Sequence, residues 1–189
     1  MRCDRGLALL AGLLLMWPVS VHALDKAGGL GIGRVPTPEE IAAWDIDARP
    51  DGLGLPAGKG GVAEGERVFA QRCEGCHQNG GEKAAVASLD ILVGGNGTLD
   101  TAKPLRTIGS YWPFATTLFD YIRRAMPFDA PQSLSADEVY ALSAYLLNRN
   151  GIVPVDAVLD ATMLAQIRMP NRDGFIDRDD WRSPPQKPR

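Results

Sequence analysis

Cys73-Glu74-Gly75-Cys76-His77 places two thiols and an imidazole within five residues. The two-residue gap lets one short segment present both sulfurs, and the histidine next in line can swing its ring beneath a metal. That is the attachment signature of c-type haem: the thiols reach vinyl groups on neighbouring pyrrole rings, and His77 supplies an axial ligand to the iron. Three other chemistries use a Cys-x-x-Cys pair. A thioredoxin-like redox disulfide belongs beside a βαβ pattern, which this sequence lacks. A structural zinc takes four ligands, which here would have to include carboxylates. A plain disulfide needs only an oxidising compartment.

The first residues bear on that compartment. Arg2 and Arg5 form a positive start, residues 7–17 are an apolar run, and Val21 and Ala23 stand three before and one before a cut after Ala23. This is the layout of a secretory signal peptide. The apolar run falls short of the roughly 20 residues that a spanning helix needs, so no membrane span is expected after cleavage. A cut after Ala23 removes Arg2, Arg5 and Asp4 and takes the net charge from −3 to −4. The charges are mixed along the 189 residues with no long basic run, a pattern that argues against nucleic acid.

Cleavage also shortens the ligand inventory. Of three cysteines and two histidines, Cys73, Cys76 and His77 remain; of five methionines, Met126, Met163 and Met169 remain. No second histidine is left for the other face of the iron. Met126 lies 49 residues after His77, between two expected helices, and Pro127 stiffens its loop. A thioether there completes a His/Met pair, which raises the potential and suits electron transfer. Met169, also followed by a proline, is the alternative ligand. Met126 as a mere filler of a core gap is the other reading.

The elements that must position these groups are helical. The spacing predicts a short helix over residues 38–44 with Thr37 as cap, one over 62–73 running into the cysteine motif, and one over 114–125 with Leu118, Tyr121, Ile122 and Ala125 apolar. Another begins after Ser135, with Glu138 at capping-box spacing, and runs to about residue 148 before Gly151 and Pro154 end it. A Gly-rich loop fills residues 78–105. Residues 24–61 read as an irregular Gly/Pro-rich extension, and 152–189 as a tail with one possible helix near 156–167. The expected order is signal peptide 1–23, extension 24–61, haem domain 62–151 and tail 152–189.

Gly65 stands four residues before Phe69, and Leu142 three before Tyr145; a glycine permits close helix approach, and aromatics can lock a crossing, though ordinary helix-core packing is the plainer reading of each pair. On these residues and the Cys-x-x-Cys-His motif, the chain resembles the class I c-type cytochromes over about residues 60–150. The fold implied is all-α: three to four helices around one covalent haem, with irregular extensions at both ends.

A narrower resemblance rests on Thr107-Ile108-Gly109-Ser110-Tyr111-Trp112-Pro113-Phe114, Phe119-Asp120-Tyr121-Ile122-Arg123-Arg124-Ala125-Met126-Pro127, and Ala130-Pro131-Gln132-Ser133-Leu134. Trp44-Asp45-Ile46-Asp47, Arg49-Pro50-Asp51-Gly52 and Met169-Pro170-Asn171-Arg172-Asp173-Gly174-Phe175 belong to it as well. These are similar to the monohaem cytochrome subunits of sulfite and sulfane dehydrogenases. The resemblance implies a molybdenum-containing subunit as electron donor and a small cytochrome c or an oxidase as acceptor, in the periplasm. Some sulfane dehydrogenase subunits carry two haem modules; this chain has one Cys-x-x-Cys-His.

Tyr111 and Trp112 are expected near the haem, an indole being suited to pack on its edge and bond a propionate. Arg106, Arg123 and Arg124 are candidates for propionates or an acidic partner, with a solvated helix face as the plainer reading of Arg124. Asn171, Asp173, Asp177 and Asp180 are a poor match to a calcium loop, and a solvated or partner-wrapping tail explains them better. The chain is expected to carry electrons rather than catalyse alone. The competing function is a haem sensor or enzyme with an open iron position, against which stands the lack of a distal acid or base. Service to another periplasmic dehydrogenase is a further alternative.

Overall fold

The computed structural model describes residues 33–87 and 89–176. The expected signal peptide, the start of the Gly-rich extension and the tail beyond residue 176, with Asp177 and Asp180, lie outside the described residues. Among the described residues are six helices and one small sheet: α1 (Pro38–Trp44), β1 (Lys59–Gly61), α2 (Val62–Arg72), α3 (Ile108–Tyr111), α4 (Ala115–Ala125), α5 (Ala136–Arg149), β2 (Val158–Asp160) and α6 (Ala161–Gln166). The fold is therefore mostly helical, as the sequence implies.

At the centre lies α5. Ser135 caps it through Glu138 N–H, and the Glu138 carboxylate reaches back to Ser135 N–H at 2.7 Å, completing the capping box. Its residues from Val139 to Leu147 are buried all round, not on one face only. That is the pattern of a helix enclosed by others. Against it lies α2. A Cβ on Gly65 would come within 2.7 Å of Tyr145 Cβ, and closer still to the Ala141 carbonyl, so only glycine permits this crossing. On α4, Leu118, Phe119 and Ile122 turn into the core. Tyr121, read from the sequence as part of that apolar face, is 47% exposed instead.

The segments read as irregular contribute structure of their own. β1 and β2 pair antiparallel, with Lys59 opposite Asp160 and Gly61 opposite Val158. The expected helix near 156–167 is thus strand first and helix only from Ala161, where Asp160 caps α6 by accepting from Met163 N–H at 2.8 Å. Residues 45–56 are held on α4. Asp120, buried, accepts from Ala48 N–H at 2.8 Å, and Arg123 donates to the Ile46 carbonyl at 2.9 Å. Arg124 forms a two-pronged ion pair with Asp120. These contacts give Arg123 and Arg124 structural partners, in place of the propionates or acidic partner weighed for them.

No helix among the described residues is long and apolar enough to cross a membrane.

Candidate haem-binding site

The end of α2 sets the two thiols. Cys73 N–H and Glu74 N–H both bond the Phe69 carbonyl, at 2.8 and 3.0 Å, and the chain then turns so that Cys76 N–H and His77 N–H bond the Cys73 carbonyl at 3.0 and 2.9 Å. Both cysteines and the histidine therefore share one compact turn. Cys73 is half-buried and Cys76 exposed. Burial pushes the Cys73 thiol up to about 11, against the opposing pull of Arg72. His77 Nδ1 is buried with no hydrogen-bond partner.

Residues 79–82, just past the motif, are pinned in place. Glu74 accepts from Asn79 N–H at 2.8 Å and Gly80 N–H at 3.2 Å. Asn79, Gly80 and Gly81 all have left-handed backbone, φ 55°, 63° and 92°, so the carboxylate holds a turn that is otherwise weakly favoured. Arg149, at the end of α5, pairs with Glu82 and bonds the Asn79 carbonyl.

Asn150, just beyond α5, anchors the Gly-rich loop. Its Oδ1 accepts from Gly94 N–H at 3.1 Å, and its Nδ2 donates to the carbonyls of Leu92 at 3.2 Å and Leu146 at 2.8 Å. Gly109 of α3 lies on the same side chain. Thr107 and Ser110 cap α3 reciprocally, and Thr107 Oγ1 donates to the Gly94 carbonyl at 2.6 Å. α3 delivers Tyr111 and Trp112. The Trp112 indole meets Tyr121 edge-on at 5.8 Å, and Arg106 stands 5.5 Å from the Tyr111 ring.

Met126 caps α4, its N–H bonded to the Ile122 carbonyl at 3.0 Å and its side chain half-buried against the core. Arg72, next to Cys73, donates to Ser133 Oγ at 2.7 Å and so ties the cysteine turn to the loop after Met126. Met169 is 1% exposed within the core, and Met163 is half-exposed on α6. Cys73, Leu92, Trp112, Met126 and Leu134 all border one buried cluster. Among the described residues no three His, Cys, Asp or Glu side chains gather as a metal site.

The donor set fits haem c. Two thiols stand on one turn beside an imidazole with a buried, unpartnered Nδ1, and a methionine lies on a loop linked to that turn. Cys73, Cys76 and His77 would hold the group and Met126 would face it, with Trp112 bordering the same buried cluster.

The sequence did not single out Asn150, Glu74 or the Arg72–Ser133 bond. For Asn150 a signal exists, since Asn before Gly151 at a helix end is a capping pattern. The other two bonds join residues that no local pattern relates.

Helices crossing at Gly65, and a Cys-x-x-Cys-His turn at the end of the first of them, define a cytochrome c domain. The family model described as cytochrome c oxidase, cbb3-type, subunit III, matches residues 60–146. A chain in the crystal structure of the sulfane dehydrogenase SoxCD from Paracoccus pantotrophus is similar at 44% identity with a TM-score of 0.73, covering 85% of this chain and 80% of that one. The chain belongs to the class I c-type cytochromes, and a cytochrome c domain implies haem c. No curated protein matches it significantly.

Proposed function

We propose that this chain is a periplasmic electron carrier that holds one haem c covalently through Cys73 and Cys76, with His77 and Met126 as axial ligands. It takes single electrons from a molybdenum-containing sulfite or sulfane dehydrogenase subunit and passes them to a small cytochrome c or an oxidase. The leader is cut near Ala23 on export, with residues 62–151 as the haem domain and 24–61 and 152–189 as its extensions. The observation that carries this reading is the likeness to the SoxCD chain. It covers 85% of the sequence, well beyond the residues 60–146 that a cytochrome domain requires.

When bound, haem c supplies an iron that exchanges one electron. The chain's part is to keep that exchange free of rearrangement. His77 is fixed by the turn bonded to the Cys73 carbonyl, and Met126 by the cap of α4. Neither side chain has to change protonation, and the buried cluster beside them keeps water out. Once the leader is cut, His77 is the histidine that remains, which leaves no second imidazole to serve as a distal acid or base.

Optical spectra of the exported protein, oxidised and reduced, test this. A low-spin spectrum whose His/Met charge-transfer band disappears in Met126→Ala and persists in Met169→Ala is the expected result. A high-spin spectrum that shifts with cyanide or carbon monoxide would overturn it in favour of a sensor or enzyme.

A further inference from the structure

The turn between α3 and α4 is short of hydrogen-bond donors. α3 is a single turn, so the Tyr111 carbonyl has no amide further along the helix to meet, and Pro113 has no N–H. The missing donor comes from far along the chain: Asn171 Nδ2 donates to the Tyr111 carbonyl at 2.7 Å. Its carboxamide lies over Gly174, where a Cβ would come within 2.7 Å of Asn171 Cγ. Bonds from Arg172 N–H to the Met169 carbonyl and from Gly174 N–H to the Asn171 carbonyl, both 3.1 Å, fold the segment. Met169, 1% exposed, roots it in the core.

Three further contacts reach the same turn. Phe114 and Arg168 form an antiparallel bridge. The Arg172 guanidinium stands 4.0 Å from the Phe114 ring centroid, and Phe175 meets Tyr111 edge-on at 5.2 Å. Each of the four contacts falls on residue 111 or 114, one on either side of Trp112 and Pro113. The segment therefore fixes the backbone on both sides of Trp112. Where Asn171 and Asp173 suggested a faint calcium loop, Asn171 bonds Tyr111 and Asp173 pairs with Arg168.

We propose that residues 168–175 clamp the turn at 111–114, with Asn171 as the positioning residue that keeps Trp112 against the buried cluster that Cys73 and Met126 also border, and so raises the reduction potential. The proposal rests on the electron-carrier reading. Solvent access around a metal centre is one of the levers on its potential, because water favours the more highly charged oxidised form. A turn released from its clamp admits water and lowers the potential.

Redox titration of the full exported, haem-loaded protein tests the clamp. Asn171→Ala removes the donor, and Gly174→Ala displaces the same carboxamide; neither changes the charge. Both are expected to shift the midpoint downwards while the His/Met spectrum persists. The double variant should shift no further than the larger single one, because both act through one group. Folded single variants that keep the wild-type midpoint would overturn the clamp, as would shifts that add in the double variant. Should Asn171→Ala not fold, the single variants Gly174→Ala and Phe175→Ala carry the test: each is expected to lower the midpoint, and an unchanged midpoint in both would overturn the clamp. A wild-type chain with no haem spectrum would sink the electron-carrier reading itself, a different result from an unshifted midpoint.

Discussion

The ring of Phe69 meets that of Tyr145 at 5.2 Å and 46°, one helical turn beyond the point where Gly65 touches the backbone of Ala141. The two contacts fix one crossing. The glycine sets how near α2 and α5 approach, and the aromatic pair sets how they are rotated. Since α2 ends in the cysteine turn, any error at the crossing is passed on to Cys73 and His77.

Gly65→Ala is the sharp test of that crossing. The added methyl meets the Ala141 carbonyl, which is helix backbone and cannot yield as a flexible side chain would. A loss of about 1–3 kcal/mol is expected from overpacking, read from the urea midpoint of the haem-loaded protein. An unchanged midpoint would mean that the helices slide apart at no cost.

Asn150 carries a second expectation. It is 6% exposed and satisfies three backbone groups of the Gly-rich loop and α5. Asn150→Ala should cost about 1–3 kcal/mol, because those groups lose their partners inside the protein. Asn150→Asp should do no better, since a carboxylate cannot donate to the Leu92 and Leu146 carbonyls. Amide exchange at Gly94 would report the loosened loop directly. Protection there equal to wild type would count against the anchor.

The two thiols should differ in reactivity in the haem-free chain. Only the thiolate attacks an alkylating reagent. Burial holds Cys73 as the neutral thiol until the pH approaches about 11, whereas Cys76 is exposed. Iodoacetamide at neutral pH should therefore label Cys76 first, and labelling of Cys73 should climb as the pH rises towards 11. The same shift makes the folded haem-free chain lose stability from about pH 9 upwards, because the unfolded thiol ionises there and the buried one does not. Peptide mass spectrometry after timed alkylation decides it: equal labelling at neutral pH would refute the difference.

Much of the site was legible because its chemistry is local. Five consecutive residues specify the attachment turn, and Ser135 with Glu138 specifies the start of α5. Gly65 was legible through the resemblance to class I cytochromes, with Phe69 four residues on. What local pattern could not show was pairing at a distance. Val158 and Leu159 carry no sign that their partners are Gly60 and Gly61, so a helix was expected where a strand forms. Tyr121 fits the apolar rhythm of α4 yet faces outward beside Trp112, since periodicity gives a face its residues and not its neighbours. Arg123 and Arg124 looked like free cations because their acceptors, Ile46 and Asp120, depend on how the extension returns across α4.

The pairing of β1 with β2 gives the molecule a direction in time. Synthesis delivers Gly60 and Gly61 early, ahead of Cys73 and Cys76, and Val158 late, after all the helices that surround α5. A nascent chain that has already exposed Cys73, Cys76 and His77 still lacks the strand that fastens the base of α2. The pairing of Lys59–Gly61 with Val158–Asp160 thus closes a loop of chain that contains every helix from α2 to α5, and it forms only once all four have been made.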